Sequence, residues 1–139
     1  MTSRIVGIIA ILGGVALSGC IPPVPPVTSD EIAEMDKKVP VCKGDADCKA
    51  KWEAAQLWVV HHAGRKIQTV TDVLIETYGP GRDGNSSAIA ARVTKEPIGD
   101  GSYRVTVTLE CANPYMTHVL VDSVLDFDRE VGAATSATP

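Results

Sequence analysis

Along this chain the apolar residues first run together, then recur every three or four positions, then alternate with polar ones, and finally return to the three–four spacing. Cys48, Trp52, Ala55, Val59 and His62 lie four, three, four and three residues apart, which is one face of a helix. Ala54 and Trp58 widen that face. The helix starts at Asp45 or Ala46 and runs through Ala63, with Gly64 expected as a left-handed cap. Asp45 and Asp47 fall in its first turn, where negative charge suits the helix dipole. Lys66 to Tyr78 reads as one long strand, with Val73, Ile75 and Thr77 on one side and a bulge near Thr71. Gly79 to Ser87 is a loop. Ser87 to Lys95 is expected to be a strand with Ile89, Ala91 and Val93 inward, an alanine-rich helix being the alternative. Ile98-Gly99-Asp100-Gly101 is a turn. Tyr103, Val105, Val107, Leu109 and Cys111 then alternate with Arg104, Thr106, Thr108 and Glu110, the pattern of a half-buried antiparallel strand. Asn113-Pro114 turns the chain. From His118 to Val131, Leu120, Val124, Phe127 and Val131 fit a closing helix, although the alternation of Val119, Val121, Leu125 and Phe127 also fits a fourth strand. Gly132 onward is a small-residue tail.

Short connections between the strands make neighbours antiparallel. The fold class expected is α+β. A three-stranded antiparallel sheet is packed by one N-terminal helix carrying Trp52 and Trp58, with a C-terminal helix, in the order α-β-β-β-α. Residues 41–131 form this compact domain and hold all six aromatic residues of the chain. A core that small is only modestly stable without a covalent staple.

The chain has 139 residues with 13 basic and 17 acidic side chains, a formal charge of −4. Length allows one domain. An acidic balance argues against nucleic acid or anionic lipid headgroups as main partner, since phosphate recognition needs a basic surplus.

The amino end is of another kind. Ile5 to Leu17 is apolar apart from Gly7, Gly13 and Gly14, and Arg4 is the one charge before Asp30. As a helix this run would be roughly 20 Å long against a hydrocarbon core of about 30 Å, short for a span and suited to a signal peptide. It ends in Leu17-Ser18-Gly19-Cys20. This resembles the lipobox of bacterial lipoproteins: Leu, a small residue, Gly or Ala, then Cys. The resemblance implies a signal peptide at 1–19 and lipidation of Cys20. It also implies a mature chain of charge −5 once Arg4 is removed. Two or three acyl chains, at roughly 0.8 kcal/mol per buried methylene, hold such a protein on a bilayer. Ile21, rather than Asp, follows the cysteine, which in Gram-negative lipoproteins implies the inner leaflet of the outer membrane, facing the periplasm. Residues 20–40 form a tether. Four prolines between Ile21 and Val27 favour polyproline II, and Ser29 to Lys38 could form a short helix capped by Ser29, with too few apolar positions to dock firmly. Pro40 closes it. Residues 132–139 are the tail.

Beyond Cys20 the cysteines are Cys42, Cys48 and Cys111. Three thiols allow one intramolecular bond in three ways. A Cys42–Cys48 loop is worth roughly 2 kcal/mol and a Cys48–Cys111 loop on the order of 4, so loop entropy favours the long closure and proximity the short one. From Cys42 to about Val131 the chain is similar to a group of small uncharacterised proteobacterial envelope lipoproteins. The similarity rests on Val41 to Cys48, Trp52, Ala55, Trp58, Lys66 to Thr69, Thr77-Tyr78 and Cys111-Ala112-Asn113. Its members tend to carry a further Cys where this chain has Met116. The resemblance therefore implies that Cys111 has lost its partner and that Cys42 pairs with Cys48.

No motif reaches a catalytic constellation. Gly79-Pro80-Gly81-Arg82-Asp83-Gly84 has the glycine spacing of dinucleotide binding, but that mechanism needs a helix N-terminus directly after it in a parallel sheet. Asp45-Ala46-Asp47 lacks the later ligands of a calcium loop, where Lys49, Ala50 and Gln56 stand. His61 and His62 are consecutive and diverge by about 100° on a helix, leaving His61 solvated and His62 at the core edge. Cys111 with His118 offers two zinc ligands on paper. Gly84-Asn85-Ser86-Ser87-Ala88 lacks the second glycine of a nucleophile elbow. Asp122, Asp126, Asp128 and Glu130 read as the solvated face of the last helix. The expectation is a non-enzymatic, lipid-anchored periplasmic module that binds another envelope protein. No catalytic or metal-binding residue, no cofactor and no nucleic-acid partner is assigned. The alternatives are an inhibitor of an envelope hydrolase presenting Gly79–Ser87, or a small metal-binding periplasmic protein.

Overall fold

The computed structural model describes residues 26–80 and 88–135. The lipobox, most of the Gly79–Ser87 loop and the end of the tail lie outside the described residues. The fold is α+β, as the pattern implied, but the sheet is larger. Three helices, α1 (Ser29–Lys38), α2 (Gly44–His62) and α3 (Thr117–Ala133), accompany five strands: β1 (Val41–Lys43), β2 (Ile67–Val70), β3 (Leu74–Thr77), β4 (Ala90–Gly99) and β5 (Ser102–Glu110). The strands are all antiparallel, in the order β1-β5-β4-β3-β2.

The two extra strands have local causes. The stretch from Lys66 to Tyr78 does not run as one bulged strand. It folds back at Thr71, whose hydroxyl oxygen accepts hydrogen bonds from the amides of Val73 (3.2 Å) and Leu74 (3.0 Å) while its own amide donates to the Leu74 carbonyl at 2.8 Å. A Thr side chain that mimics a backbone turn in this way makes a hairpin of β2 and β3. Val73 therefore sits exposed at the tip, whereas Ile75 and Thr77 are buried. β1 is three residues long, too short for its alternation to show, and it pairs Cys42 with Tyr103 at the sheet edge.

The β4–β5 hairpin turns at Asp100-Gly101, both at positive φ (53° and 68°), between paired Gly99 and Ser102. Two consecutive positive φ values match the right-handed twist of the flanking strands. β4 is a strand, shifted toward the turn from the expected Ser87–Lys95, and the closing segment is the helix α3 rather than a fourth strand. α1 is capped by Thr28, one residue before the expected Ser29. Its hydroxyl accepts from the Glu31 amide while the Glu31 carboxylate accepts from the Thr28 amide at 2.8 Å.

α2 and α3 cover one face of the sheet. Between them lie Trp52, Ala55, Trp58 and Val59 of α2, Phe127 and Val131 of α3, and Ile75, Ala91, Val93, Val105 and Val107 of the strands. The helical face read from the sequence is the buried one, except that its last member, His62, is exposed.

At the other end of α2, β1 is joined to the second helical turn by a Cys42–Cys48 disulfide. Gly44, at φ 76°, makes the one-residue switch from strand to helix. Asp47 accepts from the Lys43 amide (2.9 Å) and from Lys51 Nζ (2.8 Å), and Lys51 donates to the Val41 carbonyl (2.9 Å). These bonds hold the Asp47 carboxyl below its ordinary range, the Lys51 contact first and the Lys43 amide second.

Gly64 is not the left-handed cap the sequence suggested. Its φ is not positive, and α2 ends with the Ala63 amide bonded to the Val59 carbonyl at 3.1 Å. Gly64 is needed for approach instead: a Cβ there would lie 3.0 Å from the Ala88 Cα, and its amide donates to the Ile89 carbonyl. A left-handed cap would tolerate Asn, but close packing tolerates neither. Gly64→Ala and Gly64→Asn are both expected to destabilise the protein by about 1–2 kcal/mol in urea unfolding. An Asn variant as stable as wild type would restore the cap reading.

Candidate functional site

The chemistry-bearing side chains gather where α2 ends beside the middle of α3. Trp58 organises them. Its ring is buried, meets Phe127 edge-on at 5.2 Å between centroids, and donates its indole N–H to Asp126 Oδ2 at 3.0 Å. One helical turn later the imidazole of His62 stacks on the same indole, 4.9 Å away and within 6° of parallel. His62 Nδ1 lies 3.9 Å from Asp126 Oδ2. Glu130, one turn beyond Asp126 on α3, completes a group whose nitrogen and carboxylate ligand atoms all lie within 4.8 Å of one another. Among the described residues this is the one cluster of three potential metal ligands. Arg129, largely exposed, pairs with the other oxygen of Asp126.

The acidic residues of α3 are thus not one solvated face. Asp122 and Glu130 are exposed, but Asp126 is partly buried and Asp128 is only 3% exposed. The reason is helical geometry: Asp128 points away from Asp126, toward α1. It lines a cleft of about 570 Å³ with Lys38, Leu125, Arg129 and Gly132, and its Oδ2 is buried without a hydrogen-bond partner. Burial pushes this carboxyl up to about 6, opposed by the Lys38 charge.

A second concave surface lies at the start of α2. A cleft of about 710 Å³ is bordered by Gly44, Asp45, Trp52, Asp72, Lys95 and Tyr103. Lys95 Nζ stands 5.2 Å from the Trp52 ring centre and 5.8 Å from that of Tyr103, a cation held over two aromatic faces. Trp52 is fixed there by its indole N–H bonded to the Thr71 carbonyl at 3.1 Å.

Other sequence candidates separate. Asp45 and Asp47 lie in the first turn of α2, and Asp47 is engaged by the Lys43 amide and Lys51; the N-cap is Lys43, which makes no side-chain cap hydrogen bond. The described chain after the glycine-rich loop enters strand β4, not a helix. Cys111 follows β5, outside the disulfide, and His118 stands in the first turn of α3. Cys20 lies outside the described residues. In comparisons with known proteins, no family model, curated protein or solved structure matches this chain.

The Asp126–Glu130 spacing of one helical turn was a signal in the sequence, and so was the same spacing of Trp58 and His62. What no spacing could show is that these two pairs face each other.

The buried carboxyl generates a pH prediction. Native Asp128 keeps its proton to a higher pH than the unfolded chain, where the ordinary value is 3.8. Between 3.8 and about 6 the native state therefore binds more protons, so stability falls as pH rises through that window and levels above it. Asp128→Asn removes this slope. The difference in unfolding free energy between variant and wild type is expected to move by about 2 kcal/mol in the variant's favour from pH 4 to pH 7. A difference independent of pH would show that Asp128 is ionised and accommodated in the native protein.

Proposed function

We propose that this protein is a lipid-anchored module of the bacterial cell envelope, attached through Cys20 and facing the periplasm from the outer membrane, with a non-enzymatic binding or structural role toward another envelope protein. The Cys42–Cys48 disulfide is the observation that supports it most directly. Such bonds persist in oxidising compartments and are rare in the cytosol, so the disulfide agrees with an exported chain. The disulfide also closes the edge of a domain whose core is small. The leader Ile5–Leu17, the Leu17-Ser18-Gly19-Cys20 sequence and the proline-rich segment after it supply anchor and spacer. No helix among the described residues is long and apolar enough to cross a membrane. On this reading the acyl chains alone hold the protein at its bilayer.

Mass spectrometry of the protein from native membranes is expected to find an amino-terminal peptide beginning at Cys20 and carrying diacylglycerol. Cys20→Ser is expected to abolish that mass and to leave the protein uncleaved or unanchored. A bare Cys20, or the leader still attached to wild-type protein, refutes the anchor. In-cell crosslinking of the lipidated form then tests the role: one stoichiometric envelope partner supports it, whereas turnover of an envelope substrate by the purified chain overturns the non-enzymatic reading.

A further inference from the structure

We propose that His62, Asp126 and Glu130 form a divalent-cation site at the junction of α2 and α3, selective for a borderline metal such as zinc.

Three independent features converge on it. The ligand set is one imidazole and two carboxylates, drawn from two helices and gathered within 4.8 Å. Imidazole distinguishes zinc-like ions from magnesium and calcium, which prefer all-oxygen shells. Two of the ligands are oriented by a group that is not itself a ligand: buried Trp58 stacks on His62 and donates to Asp126 Oδ2. Outer contacts of this kind set ligand direction and raise affinity. Finally, His62 is the last residue of α2. The unpaired carbonyls of that helix end carry negative potential, which favours a cation there.

Geometry sets the remaining requirement. A zinc ion about 2.1 Å from each ligand needs those atoms roughly 3–3.5 Å apart. His62 and Asp126, 3.9 Å apart, are close to this already. Glu130 is exposed, and its side chain closes the rest by rotation. Three protein ligands leave further positions to water, so the site is open rather than a sealed structural one. Arg129 opposes the ion by its charge and occupies Oδ1 of Asp126; Oδ2 accepts from the Trp58 indole and faces His62, and its remaining lone pair is the one offered to the ion. The site is independent of how the chain is anchored.

The test is a calorimetric titration of the tag-free full chain with Zn²⁺, run in parallel with amide chemical-shift mapping. The expected result is one Zn²⁺ per chain, not displaced by an equal concentration of Mg²⁺, with the largest shifts at Trp58, His62, Asp126 and Glu130. Glu130→Gln removes a ligand from an exposed position without touching the core, and it is expected to weaken binding at least about tenfold. His62→Ala is expected to do the same, while His61→Ala leaves binding unchanged. The amide spectra show directly whether each variant is folded. Absence of saturable binding overturns the proposal. So does stoichiometric binding that survives Glu130→Gln and His62→Ala, or that is lost on replacing Cys111, since the ion would then sit elsewhere.

Discussion

The indole of Trp58 is the contact on which the arrangement of the molecule depends. With six aromatic residues in the chain, few side chains are large enough to fix how two helices meet over a sheet. Trp58 does this in three directions. It meets the Phe127 ring of α3 at a right angle, its N–H reaches Asp126, and its face carries His62. Burying an indole demands a partner for its N–H, and the partner chosen is a carboxylate of the facing helix. The apolar contact that builds the core therefore also places a carboxylate beside a histidine. Core and candidate site have one origin.

The opposite end of α2 is secured by different means. β1 has three residues and little apolar area, so strand pairing alone would hold it weakly. The Cys42–Cys48 bond, the Asp47–Lys51 pair and the Lys51 bond to the Val41 carbonyl fasten it to the helix. Gly44 permits the sharp change of direction that brings the two cysteines together. α2 is thus held at its start by covalent and polar bonds and toward its end by aromatic packing.

α1 adds a third element of a different character. None of its residues is buried, yet it lies against α3, where the Lys38 charge and the Asp128 carboxyl face the same cleft. A carboxyl with one oxygen buried and unpartnered beneath an otherwise solvated helix makes that contact sensitive to protonation.

Much of the local structure was legible in the sequence. The face of α2 followed from the spacing of Cys48, Trp52, Ala55 and Val59. The alternation from Tyr103 to Cys111 marked β5, and the glycines around Asp100 marked its hairpin. These features are local because burying one face of an element imposes its own period on that element. The count of strands was not legible, because β1 is too short to show a period and because a single Thr hydroxyl decides that the chain reverses at Thr71. The reason for Gly64 was not legible either: it lies in Ala88, two dozen residues on. Nor was the division of the α3 acids, in which Asp128 turns inward and Asp126 turns to Trp58, 68 residues away in the chain. By itself the sequence determined the periods of the main helix and strand, and their turns. Tertiary structure alone decided which polar groups are buried and which ligands meet, since those depend on how far-separated elements pack and no local period records that.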